Sequence, residues 1–302
     1  MSSSPVGALA SSSSARYIAL SASFLRGAQN TDGGFGAAGG HASDELYTAW
    51  AAIGLGAAGR SPLSVTRDGH SVLDGLRAQA TMLSSVSDME RTILALHACG
   101  VSPYSLGGLN PVAEMLRSRE ADGSFEQLVN ITAFAIFALR AAGHSAGDPA
   151  VQAAGRWIER QQDSDGGFGF AVRGEGSDVD DTAAALQALV AAGTHSGPVV
   201  SRAVSFLLAA QGINGGFPQQ PGGEANGQST AWAVQGLVAT GRNPEVVRRP
   251  HGRSPLEYLH GLTSANGSVR YAAGNYQTPV WVTAEVLAAL ARKPFPVAPV
   301  GG

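Results

Sequence analysis

Six apolar stretches recur along the chain, and each one opens on a threonine. Each stretch continues for about three helical turns with few charges, and most of them end close to a glycine. A helix that is apolar on nearly every side is normally buried, and glycine is the preferred residue just past a helix C-terminus. The pattern therefore predicts six buried helices. Their opening threonines are Thr48, Thr92, Thr132, Thr182, Thr230 and Thr283.

More polar segments alternate with these stretches, and most of them end in a tight turn. The clearest turn is Asp165-Gly166-Gly167-Phe168, and residues 32–35 repeat the same letters. Asp-Gly and Asn-Gly pairs supply the positive φ angles that tight turns need. The polar segments predict amphipathic outer helices. Their predicted ranges are 16–29, 71–82, 117–120, 153–162, 202–211 and 256–262.

Six pairs of one outer and one buried helix predict a closed ring. A single pair cannot bury its own apolar face, so neighbouring pairs must stack on one another. The predicted fold class is all-α, an (α/α)6 toroid of six helix-hairpin repeats in a single domain. We expect the toroid to span 16–293, between a flexible Ser/Ala-rich tail at 1–15 and a Pro/Gly-rich tail at 294–302.

Composition narrows the classes of function. Charged residues make up 14% of the chain and the net charge is −3, with no basic patch, so no nucleic-acid partner is expected. No apolar run reaches the roughly 20 residues of a transmembrane helix, which leaves a peripheral membrane contact open. Cys99 is the single cysteine. It leaves localisation undecided between the cytoplasm and export with a signal peptide absent from this chain. One lysine against nineteen arginines suggests a GC-rich bacterial genome.

The turn at residues 161–169, Gln-x-x-x-Asp-Gly-Gly-Phe-Gly, leads into a Thr-Ala helix and resembles the prenyltransferase/squalene oxidase repeat. That repeat occurs in squalene-hopene cyclases, class II diterpene cyclases and protein prenyltransferase β-subunits, and the resemblance covers about 16–293. Phe35, Phe168 and Phe217 stand where the family repeat has tryptophan. The resemblance implies an α/α toroid. It is less specific for activity, because one fold hosts many functions.

The segment Asp178-Val179-Asp180-Asp181 matches the Asp-x-Asp-Asp signature of the protonation-initiated, class II terpene cyclases in this family. The resemblance implies that Asp180 is the general acid that protonates a polyprenoid alkene, with Asp178 and Asp181 as supporting carboxylates. Such a step needs a strong acid kept away from water. Clustered carboxylates cannot all ionise, so at least one keeps its proton. Alkene protonation requires no metal and no cofactor.

Asp178 also has a structural interpretation. Four of the six repeats carry Asp or Asn four residues before the threonine, which is typical of helix N-caps. The position of Asp180 instead varies from repeat to repeat, as residues that line a cavity would. Its predicted equivalents are Leu46, Glu90, Asn130, Gln228 and Trp281.

A cyclase also needs aromatic faces that stabilise carbocations. Each aromatic candidate has the alternative of simply packing the core. No basic cluster resembles a diphosphate clamp, although Arg91, Arg173 and Arg270 are single candidates, and this favours a neutral polyprenoid such as squalene. The substrate-binding candidates are Tyr47, Trp50, Phe134, Trp232, Tyr276 and Trp281.

Two alternatives to a cyclase stay open. One is a non-catalytic toroid that binds a hydrophobic small molecule, similar to the cobalamin carriers. The other is a carbohydrate-active toroid in which carboxylates from Glu45, Glu90 and Asp180 face one rim. The zinc site of protein prenyltransferases is not expected, because Cys99 lacks the nearby Asp of that site. A buried Asp180 with a raised pKa above an aromatic cavity would favour the cyclase, and an exposed Asp180 would favour the binder.

Overall fold

The computed structural model describes residues 12–301, and these form an α/α toroid, which confirms the predicted fold class. The six inner helices are α2 (Glu45–Ala57), α4 (Val86–Ala98), α6 (Val129–Ala141), α8 (Val179–Ala191), α10 (Gly227–Ala239) and α12 (Pro279–Leu290). The outer helices are α1 (Ser12–Ala28), α3 (Val72–Gln79), α5 (Pro111–Leu116), α7 (Pro149–Arg160), α9 (Pro198–Ala210) and α11 (Pro255–Leu262). Two short antiparallel hairpins pair β1 (Thr66–Arg67) with β2 (His70–Ser71) and β3 (Phe217–Pro218) with β4 (Ala225–Asn226).

The inner helices form a ring that closes on itself. Each inner helix packs against the next, α12 packs back against α2, and α1 covers α12 from outside. The closing contact is tight, because a Cβ atom at Gly54 would lie 2.7 Å from the Cα atom of Ala284. Glycine at this position therefore lets the first and last inner helices meet, and the ring needs no other closing element.

The repeat threonine and the turn phenylalanine are joined by hydrogen bonds. The backbone N–H of Phe168 donates to Thr182 Oγ1 at 2.9 Å, and the Phe168 ring is fully buried. The threonine hydroxyl thus satisfies a turn N–H that has no place in a helix or sheet. The equivalent bonds join Phe35 to Thr48, Phe125 to Thr132, Phe217 to Thr230, and Val269 to Thr283.

In three repeats, a glutamine before the glycine turn fixes the turn to the next outer element. Gln162 Nε2 donates to the carbonyl oxygens of Gly166 at 3.0 Å and of Val199 at 2.8 Å. Gln29 and Gln211 make the same pair of bonds in their own repeats. One buried amide therefore holds both the turn and the start of the following outer segment.

Helix α4 departs from the predicted register. It begins at Val86, so Met89 takes the place that Thr48 has in α2, and Thr92 lies three residues further on. Thr92 donates instead to Glu45 Oε1 at 2.9 Å. The alignment of this repeat on Thr92 was wrong by three residues, because Ser85 and not Asp88 caps the helix.

Five outer helices begin earlier than predicted: α1 begins at Ser12 instead of residue 16, and the other four share one feature. Helices α5, α7, α9 and α11 start one to six residues before their predicted ranges, and each has proline as its first residue. Proline favours that position because its missing N–H would have had no intrahelical partner there. The prolines mark the true starts better than the amphipathic pattern does.

The predicted tails differ from the structure at both ends. Phe295 and Val297 are only 5% and 4% exposed, so the segment after α12 folds back into the toroid instead of leaving at residue 294. Helix α1 begins at Ser12, and the rest of the predicted tail, 1–11, lies outside the described residues. In the part of the chain that the structure describes, each helix is too short or too polar to cross a membrane.

Candidate active site

A cavity of about 280 Å³ lies at the N-terminal ends of the inner helices. Most of the residues that line it come in pairs spaced four apart, because residues at i and i+4 share one face of a helix. Helix α10 contributes Trp232, and Phe170 and Gln219 reach the cavity from loops. The pairs are Leu46 and Trp50, Ser87 and Arg91, Asn130 and Phe134, Asp180 and Ala184, and Trp281 and Glu285.

Aromatic rings form the floor of the cavity. Trp50 lies at the centre, stacked on Trp281 with ring centroids 6.3 Å apart and edge-on to Trp232 at 6.3 Å. Phe134 meets Trp232 at 5.6 Å. Offset and edge-to-face pairs at these separations are favourable. Four of the six predicted aromatic candidates therefore lie together in the floor of the cavity.

Phe295 packs against these aromatic side chains from the side opposite the cavity. Its ring centroid lies 5.3 Å from that of Trp232 and 6.0 Å from that of Trp50. Its backbone N–H donates to Gln187 Oε1 at 3.1 Å, and Gln235 Nε2 donates to the Lys293 carbonyl oxygen at 3.0 Å. This C-terminal segment therefore supports the floor of the cavity from behind.

The aspartate cluster lies at the start of α8. Asp178 is the N-cap, and its Oδ1 accepts from the backbone N–H of Asp181 at 2.8 Å, as the capping pattern predicts. Asp181 Oδ1 accepts from Asn130 Nδ2 at 2.6 Å. Asp180 lines the cavity, and its buried Oδ1 has no hydrogen-bond partner among the described residues. Such an atom is rare in folded proteins and calls for an explanation, such as a catalytic role or a hydrogen bond to water.

Burial governs the protonation of this cluster. It raises the pKa of Asp180 to about 7, against an opposing effect from the Ser229 hydroxyl and with a further rise from the charge of Asp178. Burial and the charge of Asp178 raise the pKa of Asp181 to about 8. The pKa of Asp178 is also raised by burial. Since like charges this close cannot all ionise, the cluster holds protons near neutral pH.

One wall of the cavity carries an ionic network around Arg91. The Arg91 guanidinium pairs with the Glu45 carboxylate and, at 2.9 Å, with Asp88 Oδ1. Glu45 Oε1 also accepts from the Thr92 hydroxyl. Among the described residues that line the cavity, Arg91 alone is basic. Two carboxyl groups already balance its charge. The wall therefore offers no surplus of positive charge.

Two buried glutamates complete the lining. Glu285 Oε2 accepts from Gln228 Nε2 at 2.7 Å and its Oε1 accepts from Trp281 Nε1 at 2.8 Å, and burial raises its pKa to about 8. Glu90 is 1% exposed, and its Oε1 has no partner among the described residues. Burial raises the pKa of Glu90 well above its ordinary value.

The remaining predicted site residues lie elsewhere. Tyr47 packs against the core without lining the cavity, and Tyr276 is 60% exposed beneath the guanidinium of Arg270. Arg173 is exposed on a loop. Glu45 lies in the ion pair with Arg91 and not at the cavity surface.

Sequence reasoning missed the contributions of Glu285 and Phe295. Glu285 lies two residues after Thr283, as Trp50 lies two after Thr48 and Phe134 two after Thr132. That spacing was a usable signal for cavity residues. Phe295 had no such signal, because its burial depends on packing against four distant helices.

Comparisons with known proteins agree with this architecture. The sequence model of the prenyltransferase alpha-alpha toroid domain matches residues 73–257, more than half of the chain, so the chain belongs to that family. No curated protein shows significant similarity to it.

Several solved structures share the fold. The type II terpene cyclase MstE from Scytonema superposes with a TM-score of 0.63 at 14% identity, over 92% of this chain and 97% of the cyclase. Candida albicans protein geranylgeranyltransferase-I gives 0.64 at 13% identity, over 90% of each chain. A glycosidase gives 0.61 at 13% identity, over 95% of this chain and all of the enzyme. At these identities the likeness shows the fold alone.

Proposed function

We propose that this protein is a class II terpene cyclase that protonates a polyprenoid alkene, with Asp180 as the general acid. The observation that carries the proposal is the carboxyl group of Asp180. It lines an aromatic-walled cavity, has an unpartnered Oδ1, and has a pKa raised by burial to about 7. A group of this kind keeps its proton near neutral pH and presents it to an apolar ligand.

The proposed reaction begins with transfer of the Asp180 proton to the less substituted (CH) carbon of the terminal alkene. A C–H bond forms, the π bond breaks, and a tertiary carbocation results. The next alkene attacks this cation and forms a ring C–C bond. The final cation loses a proton to solvent, so the product is an isomer of the substrate, and Asp180 regains its proton from water.

The neighbouring side chains suit this sequence of steps. Trp50, Trp232 and Trp281 bring electron-rich rings to the cavity, and a contact between such a ring and a cation contributes about 2 kcal/mol or more when desolvated. Asp178 is held as the helix cap and Asp181 by Asn130. The charge of Asp178 disfavours ionisation of Asp180, which keeps the proton on the acid.

The glycosidase alternative has weaker support. A glycosidase needs one ionised and one protonated carboxyl group across the scissile bond. Burial raises the pKa of Asp180, Glu90 and Glu285 alike, and none of the three is paired with a cation inside the cavity as an ionised base would be.

The test is turnover of a polyprenoid panel by the wild-type protein and by Asp180→Asn. The panel holds squalene, oxidosqualene, prenyl alcohols, prenyl diphosphates and prenylated aromatics, with products identified by gas chromatography and mass spectrometry. Asp68→Asn is the matched control, because Asp68 is exposed in a left-handed turn that asparagine tolerates. We expect a cyclised product from wild type and Asp68→Asn and its loss in Asp180→Asn. A product that persists in Asp180→Asn would remove Asp180 as the acid. No turnover by folded protein would favour a non-catalytic binding protein.

A further inference from the structure

Glu90 is a buried carboxyl group that the proposed protonation does not use. It lies on α4, whereas Asp180 lies on α8, and α6 separates the two helices in the ring. Its side chain lines the cavity, and its Oε1 has no partner among the described residues. A buried polar atom without a partner is costly. A ligand with a hydrogen-bonding group at this wall would remove that cost.

The charges around Glu90 restrict what that group can be. Arg91 is already engaged by Glu45 and Asp88, so the wall has carboxyl groups in excess of cations. A diphosphate placed here would bring several negative charges to buried carboxyl groups with no free guanidinium to offset them. A neutral hydroxyl group meets either state of Glu90, because it accepts from the acid and donates to the carboxylate.

The size of the cavity restricts the rest of the ligand. About 280 Å³ is at the lower end of small-molecule sites. At roughly 30 Å³ per water-sized group, the space encloses about nine carbon-sized groups, so a chain of about ten to fifteen carbon atoms would fill it and reach its mouth beside the exposed Phe170. The aromatic floor, backed by Phe295, closes the deep end.

We infer that the substrate is a short, uncharged prenyl alcohol whose hydroxyl group binds Glu90 while its terminal alkene lies at Asp180. This inference rests on the proposed function for the identity of the reacting end. Glu90 is then the residue that selects a neutral oxygenated compound over a prenyl diphosphate and over a plain hydrocarbon.

Ligand binding can be followed through intrinsic tryptophan fluorescence. Three of the four tryptophans, Trp50, Trp232 and Trp281, line the cavity, and the fourth, Trp157, is on an outer helix. The probes are farnesol, farnesyl diphosphate and the hydrocarbon farnesene, titrated into wild type, Glu90→Leu and Glu90→Gln. Circular dichroism and thermal melts check that each variant is folded.

We expect wild type to bind farnesol about tenfold or more tightly than either other probe, the effect of one buried hydrogen bond. Glu90→Leu should lose this preference over farnesene, and Glu90→Gln should retain most of it, because the amide also hydrogen-bonds a hydroxyl. Tighter binding of the diphosphate, an unchanged preference in Glu90→Leu, or no quenching by any probe would overturn the inference.

Binding and turnover separate this inference from the proposed function. Glu90-dependent binding of farnesol without any cyclised product would leave the alcohol site standing and remove the cyclase. If turnover is lost in Asp180→Asn but Glu90→Leu keeps the wild-type substrate preference, the cyclase stands and the alcohol site is removed.

Discussion

Replacement of Glu285 by glutamine should change how the stability of the toroid depends on pH. Glu285 is 2% exposed, and burial raises its pKa to about 8 from 4.5 in an unfolded chain. Hydrogen bonds from Gln228 and Trp281 lower the pKa in part, but burial outweighs them. Between these two pH values the folded state holds a proton that the unfolded state has released. The free energy of unfolding therefore falls as pH rises through this interval.

The sign and the size follow from that difference. The stabilisation is fully present below about pH 4.5 and is lost as pH rises through about 8. Each pKa unit corresponds to about 1.4 kcal/mol, so the loss is about 5 kcal/mol over the whole interval. Glu285→Gln has no proton to release at this site. The difference in unfolding free energy between wild type and Glu285→Gln should therefore change by about 5 kcal/mol between acid and alkaline conditions.

Urea denaturation of both proteins at a series of pH values from about 4 to about 9 measures this shift. The shift should persist at low and at high salt, because a buried group is poorly screened. Stability curves for wild type and Glu285→Gln that run parallel across the whole range would refute the reasoning, since Glu285 would then titrate as an exposed carboxyl group.

Three further predictions concern the cavity. Phe295→Ala should lower the free energy of unfolding by about 3–5 kcal/mol in urea melts. The control Phe170→Ala changes a ring that is 54% exposed and should lower it by less than about 0.5 kcal/mol. Equal losses would mean that the C-terminal segment is not part of the core. Arg91→Leu leaves the buried Glu45 without its cation and should lower the free energy of unfolding by about 3–5 kcal/mol. The double variant Arg91→Leu with Glu45→Leu should recover most of that loss. Additive losses in the double-mutant cycle would rule out this coupling. Turnover needs the proton on Asp180, so kcat should fall as pH rises through about 7, and a rate that increases over this interval would speak for an ionised base.

The toroid itself could be predicted from the sequence because its signals are local. Threonine, glycine and phenylalanine recur at positions set by hydrogen bonds within one repeat, such as the bond from Phe168 to Thr182. Most inner helices are apolar on nearly every side because they are buried on nearly every side. The capping role of Asp178 was equally local, because the cap and its N–H partner are three residues apart.

The arrangement of the site depended on less local information. Thr92 hydrogen-bonds a neighbouring helix in place of its own turn, so it gave a wrong register for α4. Once α4 is shifted, Ser87 and Arg91 become its cavity pair and match Leu46 and Trp50. Tyr276 looked equivalent to the other aromatics in sequence, but the loop before α12 carries it to the surface.

Incorporation of deuterium into the product tests the central claim most directly. The polyprenoid that the protein converts is incubated in D2O with wild type and with Asp180→Asn, and the product is analysed by mass spectrometry. Asp180 exchanges its proton with solvent, so the account predicts a cyclised product from wild type that carries one carbon-bound deuterium from the initiating step, and no product from Asp180→Asn. A cyclised product without that deuterium, or the same labelled product from Asp180→Asn, would contradict the account.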